Sequence, residues 1–503
     1  MSTPEASLVR AGLRSEAATE VVRLGEWITA TCLEDIPAPI LERAVRVLAD
    51  DMGAIIGARD EPEVAAFHAR ILAASGTPEA TVWRGPYGSA GSSAGRAATR
   101  TDRRNAAAAN GLAADWLELD EGYRVTPCHA GLYVVPALLA EAEAVNLPFG
   151  QMLRALVLAY EFVTRIARSW TPGGLTMQSH GRYGAIGAAA AVALARGADA
   201  RLFLDAVCTA ATLTGPSPRS HLIDGTLARN VWPAAGAWNG FMAVEWAECG
   251  IAGAPTAFFD VYTTVLGGKA HPERLCEGLL GAPAHGSVTG SAAQADTTRN
   301  ARWSIEDGYT KIYACCQHVH SAVEAVLDMR MNLLQGATLD DIDSVTVHTH
   351  HLGMALMNAR PHTTLGAKFS MPHAVAAALV TGSGGAEAFT SATLADPALD
   401  ALRQRVRVTP YSPELPPPND RPARVSVALK NGRMVSGECL SAQGGSDRPL
   451  PPDTVFHKLD ALAVPVYPAM RRRFETLTTL VPADLAQGWR EHVTSLTLQE
   501  PSA

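Results

Sequence analysis

From about Thr19 to Val265, apolar residues recur three and four positions apart, the spacing of helices with one buried face. Pro39–Arg59 is the clearest case. Leu41, Ala44, Val45, Leu48, Met52, Ile55 and Ile56 fall on one stripe, with proline in the first turn, where its missing N–H has no helical partner to lose. Leu132–Ala144, Phe149–Ser169, Gly184–Arg196, Ala200–Leu213 and Ala234–Cys249 continue the pattern. They are rich enough in Ala and Gly for close packing, and some can be buried all round. After about Gly290 the period changes. Asp343–His350 alternates, with Val345 and Val347 against Thr346 and His348, and Arg405–Val408 reads as a short strand. Arg424–Leu429 and Met434–Glu438 flank Asn431-Gly432, a type I′ hairpin signature. Helices at Gln317–Leu334 and Met371–Thr381 lie among the strands, Pro413–Pro422 reads as a loop, and helix returns from Pro451. The expected fold is mainly α with an α+β insertion. A large all-helical domain spans residues 1–290 and is completed by 446–503; a smaller α+β lid spans 291–445.

A chain of 503 residues agrees with two domains, and 47% apolar with 18% charged residues describes a globular protein with a large core. A net charge of −8 argues against nucleic-acid or anionic-membrane partners. No apolar run reaches spanning length, and Met1–Glu16 lacks the apolar core of a secretory signal, so a cytoplasmic location is expected. The 8 cysteines do not make a disulfide framework in a chain this long. Cys315, Cys316, His318 and His320 are crowded, but adjacent cysteines do not match structural zinc spacing, and no metal is expected. Cys315 and Cys316 are expected to start a helix, one packed and one facing a cleft. Gly184-Ala-Ile-Gly187 lacks dinucleotide-binding spacing, and neither Gly-x-Ser-x-Gly nor His-Glu-x-x-His occurs.

The chemistry concentrates between Asn110 and Gly131. Glu118, Asp120 and Glu121 precede His129, which stands before the helix at Leu132. A helix N-terminus disfavours the charged imidazole and a carboxylate favours it, a setting for proton transfer near neutral pH. A solvated turn has the same residue types, so the reading leans on the rest of the chain.

Several landmarks occur in order: Ile36-Pro-Ala-Pro39, Asn110-Gly with the acidic run, Cys128-His-Ala-Gly131, and Arg182-Tyr-Gly-Ala-Ile-Gly-Ala-Ala-Ala190. Asp224-Gly-Thr-Leu-Ala-Arg229 and Gly240 follow, then Lys311-Ile-Tyr-Ala-Cys-Cys316, Pro361-His-Thr-Thr-Leu-Gly-Ala-Lys-Phe-Ser370 and Leu394-Ala-Asp-Pro397. In this order the chain resembles the MmgE/PrpD family of dehydratases, decarboxylases and epimerases. The resemblance implies a helical domain with an α+β lid, an active site between them, no metal or organic cofactor, a small di- or tricarboxylate as substrate, and a homodimer. It implies catalytic roles for His129, Glu118, Asp120, His180 and Lys311. Arg229, Gln178, Lys368, Cys316 and Tyr313 become the substrate-binding candidates.

The chain departs from the family pattern at four positions. Asp115 stands where a histidine is usual, Gln178 where many members have a second histidine, Arg229 for a lysine and Trp232 for a histidine. Arginine keeps the cation but cannot give up its proton, and glutamine carries none. Either His180, two positions on, takes the second proton-transfer role or it caps the Gly184 helix. The implied activity is a cofactor-independent lyase, a dehydratase or decarboxylase, moving a proton at a carbon next to a carboxylate. The alternatives are an epimerase, isomerase or cyclase of a specialised pathway, or a diverted relative that only binds an acidic metabolite.

Overall fold

The computed structural model describes residues 4–74, 76–85, 99–174, 176–279 and 302–498. The expected boundary at residues 290–291 lies outside the described residues. The helical body begins with α1 (Pro4–Ala30), α2 (Ala38–Gly57), α3 (Pro62–Ala73), α4 (Arg103–Ala114), α5 (Ala130–Val145) and α6 (Phe149–Ser169). It continues with α7 (Ser179–Ala195), α8 (Ala200–Thr212), α9 (Arg219–Ile223), α10 (Val231–Glu248) and the short α11 (Ala257–Phe259). Helix therefore starts fifteen residues before the sequence pattern expected it, because the charged N-terminal half of α1 is largely exposed and carries no apolar stripe.

α7 is the centre of the body, packed by α5, α6, α8 and α10 and buried along nearly its whole length. Its small residues explain how. A Cβ on Gly236 of α10 would come within 2.9 Å of the Gly184 backbone, and one on Gly187 within 2.7 Å of the Tyr133 side chain on α5. The backbones cross where side chains are missing, and that crossing brings the first turns of α5 and α7 together. Asn110 is structural: its Oδ1 accepts from Trp83 N at 3.0 Å and its Nδ2 donates to Thr81 O at 2.9 Å.

Two-residue strands staple the body. β1 (Ala80–Thr81) pairs with β2 (Arg100–Thr101), and β4 (Trp170–Thr171) with β5 (Lys269–Ala270). β3 (Gly122–Tyr123) pairs with β6 (Gly308–Tyr309), joining the acidic turn to the lid segment that carries Lys311. The lid is a four-stranded mixed sheet of β7 (Ile342–Thr349), β8 (Val406–Pro410), β9 (Ala423–Leu429) and β10 (Met434–Cys439), in the order β10-β9-β7-β8. Only β7–β8 is parallel. α12 (His320–Leu333) packs on β9 and β10, against which the even burial alternation of β9 turns its valines. The hairpin is not type I′. Gly432 is left-handed at φ 86°, Asn431 is not, and Leu429 pairs with Arg433. The loop is thus three residues, Lys430–Gly432, a form that needs glycine only at its last position.

α13 (Thr364–Lys368) and α14 (Met371–Thr381) complete the lid beside α15 (Ser391–Ala395) and α16 (Pro397–Arg403). Lid and body meet where two landmarks touch: Thr363 Oγ1 donates to Gly225 O at 2.6 Å, and a Cβ on Gly225 would lie 2.6 Å from Gly366 Cα. The chain then returns to the body. α17 (Thr454–Leu462) packs on α2, and beyond α18 (Met470–Leu477) α19 (Pro482–Ala486) packs on α6 and α20 (Trp489–Leu496) on α5.

Candidate active site

A cavity of about 60 Å³ opens between body and lid. The body contributes Glu118, His129, Gln178, Ser179, Arg219 and Arg229; the lid contributes Cys316, Gln317, His318, Phe369 and Arg421. A larger cavity of about 310 Å³, lined by Arg43, Arg46 and the Gly444–Ser446 turn, holds no histidine.

His129 stands at the N-cap of α5, 18% exposed. Asp120 Oδ2 lies 2.6 Å from its Nδ1, so Nε2 is the nitrogen left for a ligand. Asp120 also accepts from Lys311 Nζ at 2.9 Å. Burial alone would raise the Asp120 carboxyl, but Lys311 and His129 hold it well below the usual carboxylate range. An ionised Asp120 takes the Nδ1–H, which leaves Nε2 with its lone pair.

Behind this dyad lies a buried charge cluster. Arg229 is fully buried, forms ion pairs with Asp115 and Glu118, and lies 5.4 Å from the centre of the Phe369 ring. Lys311 reaches Glu118 at 3.4 Å as well as Asp120. Glu118 has a left-handed backbone (φ 56°), which a β-carbon disfavours. Its two cationic partners hold the strained turn. Asp115, Glu118 and Asp120 also have the spacing of a metal site. Arg229 and Lys311 already stand there, so these residues do not fit a resident cation. Cys315, Cys316, His318 and His320 form no such cluster among the described residues.

His180 is in the first turn of α7, inside the helix and not a cap before it. Its ring meets His129 edge to face, with centroids 4.8 Å apart. Tyr133 Oη lies 3.0 Å from its Nδ1 and Asp115 Oδ1 3.4 Å from its Nε2. Burial, with help from Arg229, lowers the ring to about 4 against the pull of Asp115. A neutral imidazole with Nδ1 accepting from Tyr133 turns its Nε2 toward Asp115 and the Gln178 amide.

The other candidates divide. Gln178 occupies the N-cap position of α7 without a side-chain cap bond, and it lines the cavity with its Nε2 3.5 Å from His180 Nε2. Cys316 lines it too, while Cys315 is wholly buried, and burial raises both thiols, keeping them protonated. Lys368 does not reach the cavity. Its Nζ donates to Trp116 O at 2.6 Å, tying the lid to the acidic turn, and burial lowers it to about 8. Tyr313 is turned away, its ring 5.2 Å from that of His320. Trp232 sits half-buried in the first turn of α10, outside the cavity lining. Arg219, Gln317, His318 and Arg421 were not singled out as binding residues from the sequence. Arg219 opens the five-residue helix α9 and Arg421 lies near the end of the proline-rich loop, so no periodicity marks either.

Glu121 points away from the cavity. Its N–H donates to Asp51 Oδ1 at 2.9 Å, its Oε1 accepts from Tyr160 at 2.7 Å, and burial raises it to about 8 against the opposing effects of Arg43 and Tyr160. A raised acid favours the fold fully below 4.5 and loses that contribution as pH climbs through about 8. Glu121→Gln is therefore expected to gain stability over the parent across that window, by on the order of a few kcal/mol at the top. Chemical denaturation at stepped pH measures it; parallel curves for the two proteins refute it.

The molecule is thus a helical body closed by an α+β lid over a cavity with a His–Asp pair and clustered cations. Residues 22–269 match the MmgE/PrpD N-terminal domain and residues 313–481 the MmgE/PrpD C-terminal domain, so the chain belongs to the MmgE/PrpD family. It is similar to a cis-aconitate decarboxylase-like protein, oryM, of Aspergillus oryzae, 23% identical over 474 residues that span 89% of this chain and 91% of that protein. No helix among the described residues is long and apolar enough to cross a membrane.

Proposed function

We propose that the protein is a cofactor-independent lyase, a dehydratase or decarboxylase, acting on a small di- or tricarboxylate, with His129 as the proton carrier. The supporting observation is the 2.6 Å Asp120–His129 pair, which leaves Nε2 for a ligand in a cavity lined by arginines. Asp120 fixes the ring's tautomer and favours the imidazolium that forms when Nε2 takes a proton. Arg229 lines the same cavity and answers the charge that develops on a carboxylate beside the reacting carbon. Lys311 acts from behind, holding Asp120 ionised and pairing with Glu118.

The two histidines favour a lyase over an epimerase. An epimerase needs carriers on opposite faces of one carbon, and rings 4.8 Å apart leave no room for a substrate between them. His180, with both nitrogens engaged, is a positioning residue that holds the His129 ring by its edge. The homology to a cis-aconitate decarboxylase-like protein fits chemistry on an unsaturated or hydroxylated tricarboxylate.

The test is proton NMR in D2O with a panel of hydroxy- and unsaturated di- and tricarboxylates. Alkene formation, hydration or CO2 loss at one member is the expected result. Epimerisation without loss of a group would overturn the lyase reading, and no turnover or exchange with any carboxylate would end it.

A further inference from the structure

We propose that Arg219 and Arg421, with Gln317 and His318, form a wall that receives a second substrate carboxylate, remote from the reacting carbon, and so set the enzyme's preference for dianions. The inference rests on the proton-transfer reading only for which end of the ligand reacts.

The other cations at the site are already matched. Arg229 is paired with Asp115 and Glu118, and Lys311 with Asp120 and Glu118. Arg219 and Arg421 differ. Among the described residues the Arg219 guanidinium meets no carboxylate, yet it lines the cavity. Arg421 is only 12% exposed; its nearest carboxylate, Asp420, is 3.8 Å away and already receives Arg124 at 2.8 Å. Its Nη2 donates to Arg124 O at 3.2 Å, while Nε and Nη1 are buried without an acceptor. Burial and the neighbouring Arg124 lower this guanidinium to about 10, the mark of a cation short of counter-charge.

Two neighbours share the deficit. Gln317 Nε2 and His318 Nδ1 are also buried without partners. Burial keeps the His318 ring neutral, Arg421 and Arg219 disfavour its charged form further, and all three side chains line the one cavity. An unpaired buried donor costs about 1–3 kcal/mol, so a cluster of them in one cavity wall calls for an acceptor from outside the chain. A carboxylate meets the demand, since two guanidinium forks can each offer it paired N–H groups. Arg219 belongs to the body and Arg421 to the lid, so the same anion bridges the two lobes. Leu222 and Phe369 supply apolar lining suited to a short carbon chain.

Calorimetric titration of the whole protein with succinate, glutarate and adipate, and with the monoamide of the best binder, tests the wall. The diacid is expected to bind about tenfold or more tighter than its monoamide. Arg421→Gln and Arg219→Gln are each expected to erase most of that preference, and Arg421→Lys to restore part of it; thermal melts check that each variant is folded. A wild-type protein that binds no diacid, or folded Gln variants that keep the full preference, would overturn the proposal. His129→Ala separates the two readings. It should bind the diacid normally, so lost turnover beside an unchanged Arg421→Gln preference removes the wall alone, whereas normal turnover removes the proton carrier alone.

Discussion

His129→Ala is expected to lower turnover by roughly 10²–10⁴-fold, the ordinary contribution of a positioned acid or base, while the protein stays folded and still binds its ligand. The fold survives because Asp120 retains Lys311 at 2.9 Å when the imidazole is gone, and because the ring is partly exposed and leaves a space that water can fill. His180→Ala behaves differently. It removes a fully buried ring that bonds Tyr133 and faces Asp115, so stability is expected to fall together with activity. Steady-state kinetics and thermal melts on the two variants separate a proton carrier from the residue that positions it. Retention of most turnover in His129→Ala would refute the mechanism.

Arg229→Met is expected to cost about 3–5 kcal/mol of stability, the penalty for stripping the partner from buried charge. Arg229 is the cation shared by Asp115 and Glu118, both of them buried, and their mutual repulsion with Asp120 reappears once it is removed. The diagnostic is the second substitution. Asp115→Asn placed on Arg229→Met removes one of the orphaned charges and should recover part of the loss, although Asp115→Asn alone is destabilising. Denaturant titration of the four proteins in a double-mutant cycle reads the coupling, and simple additivity would show that the cluster is not held by charge. Arg229→Lys should fall between, because a single ammonium cannot serve two carboxylates in the planar, forked way that guanidinium does.

These two outcomes reflect two layers of one site. The outer layer, His129 with Arg219 and Arg421, faces the cavity. The inner layer, Asp115, Glu118 and Asp120 against Arg229 and Lys311, is a nearly dry ion cluster that fixes where the outer layer stands and reaches the cavity wall through Glu118 and Arg229. Asp115 and Arg229, two positions where the resemblance implies other residues, pair with one another, the guanidinium fork offering one N–H face to this carboxylate and another to Glu118.

The helices of the body, the lid's strands and the return of the C-terminal segment to helix were legible in the chain because period and breaker residues are local properties. Phe149–Ser169 and Met371–Thr381 form as their patterns dictate. His129 and its acids were legible because eleven residues of sequence hold them together. Tertiary structure decided the rest. Asp50 and Asp51 lie beside the apolar stripe of α2 yet are buried, since Lys458 and the Glu121 N–H reach them from distant segments. Lys368, a binding candidate by motif, ties down Trp116 O instead, and Arg421, silent in the sequence, enters the cavity. The reason is physical: a side chain's periodicity reports which way its own helix or strand faces, while charge pairing and desolvation depend on whatever the fold brings from elsewhere.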